Sequence, residues 1–293
     1  MYDLKALYEP TTVAEACQAR IDHPEAQIVA GGTDVFVQMR EGKRAGKELI
    51  SIQKLDELRG VCYDEAKAIR IGSLTTFSHI TKNDIIRENL LVLGEAVDTV
   101  GGPQIRNAAT IGGNTCNGVT SADSASTLFA YDAVIELTGA DGKRLVPIEE
   151  FYIKAGTVDI RESEIQTAIT IAEDSYKDTA GFYIKYAMRN AMDIATTGCS
   201  VNCRLSSDKK TFERVRIAYG VAGPVPMRAK TAEAFAAGKP VTMETIEAFA
   251  KTVLEDINPR DSWRASKAFR QHIAVELAKR CLIESVKRCG GEL

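Results

Sequence analysis

Apolar and polar positions along the chain switch between a spacing of two and one of three to four, and the switch points predict most of its elements. Thr12-Val13-Ala14-Glu15 is a capping-box pattern that opens a short helix to about Ile21. Gln27 to Ala30 reads as a buried strand running straight into Gly31-Gly32-Thr33-Asp34, where a strand does not easily continue. Glu48 to Ile52 and Ala68 to Gly72 give two further strands. From Asp84 to Val100 the residues Ile85, Ile86, Leu90, Leu93, Val97 and Val100 form one helical stripe, which Gly101 can stop and Pro103 keeps from resuming. A second glycine turn, Ala109 to Asn114, leads into small and polar residues from Thr115 to Ser126. Ala133 to Thr138 and Lys143 to Ile148 flank Gly139-Ala140-Asp141-Gly142 as a hairpin with a four-residue turn, and Glu164 to Ile171 is another strand.

The pattern is lost in the polar stretch from Glu173 to Thr179, which reads as a linker and a domain boundary. Beyond it, Gly181 to Met188, Thr197 to Leu205 and Arg214 to Ala222 predict an antiparallel sheet. Helices follow at Ala229 to Ala237, Met243 to Ile257 and Ser262 to about Cys289, the last capped by Ser262 and stopped by Gly290. Strands first and helices afterwards argue an α+β lobe.

Composition narrows the class. With 293 residues, 45% hydrophobic and 26% charged, the chain is long enough for about two domains and too apolar for extended disorder. A net charge of -3 offers no field for polyanions, so nucleic acid is not an expected partner. No apolar run is long enough to span a bilayer and no cationic start precedes an apolar stretch, so a soluble, cytoplasmic protein is expected. The seven cysteines show no disulfide framework and no C-x-x-C pair, and the three histidines are scattered, so no metal ligand is expected on this chain.

The two glycine turns carry the candidate chemistry. Glycine tolerates positive φ and close approach, so each turn can aim consecutive backbone N–H groups at one point and cradle an anion such as a pyrophosphate. Thr33 and Thr110 add hydroxyls and Asn114 an amide. Neither turn fits G-x-G-x-x-G or G-x-x-x-x-G-K-[ST], and no G-x-S-x-G or H-E-x-x-H occurs. Asp123, in a small-residue segment, is open to two readings, a ligand contact or a turn or helix cap. Lys185, on a predicted strand, points either into a cleft or, as its pattern favours, into water. Cys199 and Cys203 share one strand face and read as core residues with no redox role. Arg189, Asp193, Arg260, Trp263, Arg264 and Arg270 form two polar clusters read as solvated or interfacial. The balance points to cofactor binding with no catalytic acid or base of the chain's own.

Several segments together resemble the FAD-binding subunits of molybdenum hydroxylases, most closely those of bacterial xanthine dehydrogenases. They are Ile28 to Asp34, Gly102-Pro103-Gln104-Ile105-Arg106-Asn107, Ala109 to Asn114, Ser121-Ala122-Asp123-Ser124, Lys185 to Arg189 with Asp193-Ile194-Ala195, and Ser262-Trp263-Arg264-Ala265-Ser266. The resemblance spans essentially the whole chain. It implies an α+β fold: a two-subdomain FAD-binding domain of the PCMH type at residues 1–175, divided at about 55, then a C-terminal α+β domain at 176–293 with an antiparallel sheet and helices. By resemblance Gln27, Ile28, Val29, Ala30, Gly31, Gly32, Thr33 and Asp34 would wrap the FAD pyrophosphate. Ala109, Thr110, Ile111, Gly112, Gly113 and Asn114 would add phosphate and ribityl contacts, and Asp123, Ile165 and Lys185 would close the site. Val100 and Cys116 would lie near the ring, Val100 where animal relatives carry a bulkier aromatic.

The implied activity is an electron relay. A molybdenum-binding large subunit would hydroxylate a purine such as xanthine or hypoxanthine, a small [2Fe-2S] subunit would pass single electrons, and FAD here would deliver a hydride to NAD+. A dimer of heterotrimers is the implied assembly. The absence of cluster-type cysteine spacing fits metals held by partners, and sets the chain apart from 4-hydroxybenzoyl-CoA reductase relatives with their extra cluster. Alternatives are the same subunit serving a hydroxylase of nicotinate or carbon monoxide, a free-standing flavin oxidase, or a scaffold that binds nucleotide structurally. No histidine lies near either turn, as covalent attachment of FAD in many such oxidases would require.

Overall fold

The first helix starts where the polar pattern requires. In this computed structural model, which describes residues 3–293, the Thr12 hydroxyl accepts the Glu15 amide at 3.1 Å and opens α1 (Val13–Asp22). The Glu15 carboxylate reaches the Thr11 amide, at 2.7 Å, one residue earlier than a capping box would place it. Around α1 fold β1 (Leu4–Tyr8), β2 (Gln27–Val29), α2 (Val35–Arg40) and β3 (Lys47–Ser51), with the strands in a parallel sheet of order β1-β3-β2. Ala16, Cys17, Ile50 and Ile52 of this unit share a core with Leu55, Leu58, Leu74 and Ile165.

Next come β4 (Val61–Tyr63), β5 (Ile69–Gly72), α3 (Phe77–Lys82), α4 (Asp84–Asn89), α5 (Leu91–Asp98), α6 (Pro103–Ala108), α7 (Ile111–Cys116) and α8 (Asp123–Ala130). They are followed by β6 (Val134–Gly139), β7 (Gly142–Pro147), α9 (Ile148–Phe151), the short pair β8 (Tyr152–Lys154) and β9 (Thr157–Val158), and β10 (Ile165–Ile171). An antiparallel sheet of order β4-β5-β10-β6-β7 results. Three expectations change here. The single stripe from Asp84 breaks at buried Leu90, which leaves helical geometry at ψ 39°, so one face is shared by two helices. Pro103 starts a helix where it was expected only to prevent one, because its missing N–H costs nothing in a first turn. Gly139 pairs directly with Gly142, so the hairpin turns on two residues.

The remainder is α10 (Glu173–Tyr176), β11 (Ala180–Tyr186), β12 (Thr197–Leu205), β13 (Phe212–Gly220), β14 (Met227–Arg228), α11 (Lys230–Ala236), α12 (Met243–Thr252) and α13 (Lys267–Arg288). The four strands form an antiparallel sheet in sequence order. The stretch read as a linker contains α10, and its Asp174 carboxylate takes Arg204 and Arg214 at 2.9 and 2.6 Å. Ser266, not Ser262, caps α13, while Gly290 follows its end at φ +75°. All eight residues of α8 are buried, the helix lying between α5 and the sheet of β12 and β13. Its Ser and Thr side chains are small enough to let both neighbours approach, which is why a polar-looking segment lies in the core. Among the described residues no helix is long and apolar enough to cross a membrane.

Candidate functional site: a cleft between two glycine turns

The first glycine turn abuts the helix that precedes the second. A Cβ on Gly31 would lie 1.8 Å from the Ala108 carbonyl oxygen at the end of α6, so only glycine permits this approach. The second turn is seated on the end of β5. Ile111 N donates to Thr75 O at 3.0 Å and Gly112 N to Ser73 O at 2.9 Å.

The two turns differ in what they leave free. At the second, Thr110 caps α7 by accepting Gly113 N at 3.2 Å, and the amides of Ile111, Gly112, Gly113 and Asn114 are all engaged within the protein. That turn is a wall, and the anion nest expected of it is absent. At the first, the amides of Gly31, Gly32, Thr33 and Asp34 donate to no acceptor among the described residues. Gly32 at φ +71° reverses the chain there. A row of free donors on a turn with positive φ is the arrangement that binds anionic oxygens.

These elements enclose a cleft of about 630 Å³, within the ~300–1,000 Å³ of small-molecule sites. Of the residues that the resemblance assigns to the cofactor, all but Val29 and Ile111 line it. Val29 is buried with Met39 and Leu49, and Ile111 in the main core, so both support the site from behind. Val100 and Cys116 border the cleft, and burial pushes the Cys116 thiol up to about 12, which keeps it protonated.

Asp123 and Lys185 close one end. Lys185 does not point into water: only 10% of its side chain is exposed, and Nζ lies 2.8 Å from Asp123 Oδ2 and 3.1 Å from Thr99 O. Asp123 is the first residue of α8 and makes no cap; its Oδ1 instead accepts the Tyr183 hydroxyl at 2.7 Å. Burial raises the Asp123 carboxyl above its ordinary value, opposed by the Lys185 charge and by its hydrogen bonds. Burial, and next the charge of Asp123, raise Tyr183 well above its own.

The sequence did not single out Gln166, Ser73, Arg20 or Glu164, all of which line the cleft. Gln166 Oε1 accepts Thr115 Oγ1 at 2.8 Å and Cys116 Sγ at 3.0 Å, while among the described residues neither its buried Nε2 nor the buried Ser73 hydroxyl has a partner. Unsatisfied buried donors are costly, and their position here fits a ligand with acceptor atoms. The signal available was a glutamine between Ile165 and Thr167 in a strand buried at six of its seven positions. Arg270, expected at a solvated or interfacial position, is buried and donates to Thr196 O and the Ser262 hydroxyl.

The carboxylates around the cleft are already engaged: Asp34 by Gln38, Asp123 by Lys185, Asp193 by Arg189 and Glu164 by Arg144. The cleft is therefore built to hold an anionic, partly apolar molecule and carries no free acid–base pair. A family described as the FAD binding domain in molybdopterin dehydrogenase matches residues 2–173. The chain belongs to that family. The CO dehydrogenase flavoprotein C-terminal domain matches residues 182–285. The chain is 41% identical over 293 residues, all of both chains, to the xanthine dehydrogenase FAD-binding subunit of Escherichia coli O157:H7. It is 28% identical to the nicotinate dehydrogenase FAD-subunit of Eubacterium barkeri, covering 97% of each chain. Among solved structures, a carbon monoxide dehydrogenase from Hydrogenophaga pseudoflava superimposes with a TM-score of 0.92 at 28% identity, covering 99% of both chains. The fold is thus the α+β arrangement of this family, a flavoprotein unit followed by an antiparallel sheet with helices.

Proposed function

We propose that the chain holds FAD in this cleft and passes electrons from partner-bound iron–sulfur clusters to NAD+ while a molybdenum subunit hydroxylates a purine. The observation that carries the reading is the row of unpaired amides from Gly31 to Asp34 beside unsatisfied Gln166 Nε2 and Ser73 Oγ. A dinucleotide with a pyrophosphate and a polar ring system meets both demands. When bound, FAD supplies exchange between one-electron carriers and a two-electron acceptor.

The chain's own residues bind and orient. Gln27, Ile28 and Ala30 to Asp34 would surround the pyrophosphate, with the four amides as donors and Val29 supporting them from behind. Ala109, Thr110, Gly112, Gly113 and Asn114 form the opposite wall, where the Asn114 side-chain amide is positioned beside Ser124. Val100, Cys116 and Ile165 give the apolar border of the ring site, and Asp123 with Lys185 fixes the end wall. We divide the chain into a flavin domain at 1–175, with subdomains meeting near 55, and a C-terminal domain at 176–293. The partners are a molybdenum-binding large subunit and a [2Fe-2S] small subunit in a dimer of heterotrimers, in the cytoplasm.

The test is the visible spectrum of the chain co-expressed with its partners, followed by anaerobic NADH and then by hypoxanthine, nicotinate or carbon monoxide. Flavin bands bleached by NADH and by a purine support the full reading. Bleaching by nicotinate or carbon monoxide alone would keep the flavin and reassign the substrate. A colourless chain that FAD cannot reconstitute would overturn it.

A further inference from the structure

Two thiols far apart in sequence lie side by side at the rear of the C-terminal sheet. Cys203, on β12, is almost wholly buried, and Cys289, the residue that ends α13, is half-buried. Their sulfurs are 3.6 Å apart, and Cys289 Sγ also lies 3.2 Å from the Cys203 carbonyl oxygen. Cys289 borders a broad open cleft of about 1140 Å³ between the two halves of the chain, with Lys209, Arg204 and Arg288 on its walls. Cys289 thus lies on the solvent side of the pair, and Cys203 sits behind it.

We propose that Cys289 and Cys203 form a reversible disulfide driven by hydrogen peroxide or an organic hydroperoxide. The Cys289 thiolate attacks one peroxide oxygen: the S–O bond forms, the O–O bond breaks, and the departing oxygen leaves as water or alcohol after taking a proton. Cys203 then attacks the resulting sulfenic acid sulfur: the S–S bond forms, the S–O bond breaks, and hydroxide leaves as water with the Cys203 proton. Two thiols lose two electrons and two protons, and one hydrogen peroxide becomes two waters. A dithiol reverses the change by exchange.

The surroundings suit these roles. Cys289 is lowered to about 7, first by its hydrogen bond with Cys203 and then by the Ala180 amide and Lys209, against the opposing effect of burial. Cys203 is raised, as befits the partner that reacts second. The sulfurs need to close to about 2.05 Å. Gly290, at φ +75°, and Gly291 close the end of α13, their amides donating to Lys287 O and Val286 O at 2.9 Å each, which holds Cys289 beside β12. Neighbouring Arg288 holds Glu95 of α5 at 2.8 and 2.9 Å, so the oxidised pair would fix the strand, the helix end and that inter-half contact together. Cys199 and Cys281 form an internal control: Cys281 Sγ lies 3.6 Å from Cys199 O, and both are fully buried with no opening to solvent.

The experiment is graded peroxide treatment of the full-length protein, alkylation, and non-reducing peptide mapping. The expected product is a cross-link between the Cys203 and Cys289 peptides, lighter by two hydrogens and released by dithiothreitol, with Cys199 and Cys281 still alkylated as thiols. In Cys203→Ser the sulfenic acid should persist on Cys289 and take up dimedone; in Cys289→Ser no cross-link should form. The proposal is overturned if wild-type Cys289 stays a thiol at peroxide levels that oxidise exposed Cys62, or is over-oxidised without ever joining Cys203. Both wild-type readouts hold even if a variant folds poorly, and either failure would leave the flavin reading untouched.

Discussion

Lys185 Nζ sits 2.8 Å from Asp123 Oδ2, joining β11 of the C-terminal sheet to the first turn of α8 beside the cleft. Both side chains are nearly inaccessible, so neither charge can fall back on water if its partner is removed.

Asp123→Ala should therefore destabilise the protein by about 3–5 kcal/mol, because an ammonium is left buried and unpaired. Lys185→Met should cost a similar amount, and the double variant Asp123→Ala/Lys185→Met much less than the sum. Urea denaturation of the four proteins gives the coupling. A coupling near zero would mean the pair is incidental.

Gly31→Ala isolates a steric effect. Its backbone is not at positive φ, yet the added methyl would overlap the Ala108 carbonyl. Bound flavin per chain, read from absorbance, should drop sharply and stability by about 1–3 kcal/mol. Gly60→Ala, at φ +95° with open space around it, should cost about 1 kcal/mol and keep its flavin. Equal flavin content in the two variants would reject the close approach as a requirement.

Gln166→Leu should separate stability from binding. Leucine removes a buried donor without a partner but also the Oε1 that accepts Thr115 and Cys116, so the two effects offset and the flavin-free protein should lose no more than about 1–2 kcal/mol. FAD affinity should weaken about tenfold, the equivalent of one hydrogen bond. Thermal melts without flavin and a fluorescence titration with FAD check both halves. Unchanged affinity would exclude Gln166 from the site.

Acid sensitivity should trace to Glu164. Two hydrogen bonds from Arg144, at 2.9 and 2.7 Å, hold its carboxyl below the ordinary range, with burial opposing them. A depressed folded value means the unfolded chain binds protons first. The stabilisation is then complete above about pH 4.5 and is lost as pH falls through the folded value. Arg144→Gln should cost about 2–4 kcal/mol at neutral pH and flatten the acid limb of the stability curve. An unaltered acid limb would remove Glu164 from the account.

Much of the fold was legible because its strands are apolar runs cut by glycine. Thr197 to Leu205 matches β12 residue for residue, and both glycine turns are where the pattern put them. What escaped was set by packing at a distance. Nothing in Asp123-Ser124-Ala125-Ser126 announces a wholly buried helix, since its reason lies in two neighbours that crowd it. Lys185 looked solvated because its partner lies 62 positions away, and β14, two residues long, exists only by pairing with β13. The contrast between the turns could be read only in part: Thr110 takes the Gly113 and Asn114 amides locally, but the acceptors of Ile111 and Gly112 belong to distant Thr75 and Ser73.

The contact of Gly31 with the Ala108 carbonyl sets main chain against main chain. The spacing of the two turns therefore works as a fixed gauge: no choice of rotamer can widen or narrow it. Side-chain replacements elsewhere can redirect what reaches the mouth of the cleft, but the opening offered to a dinucleotide stays cut to one dimension.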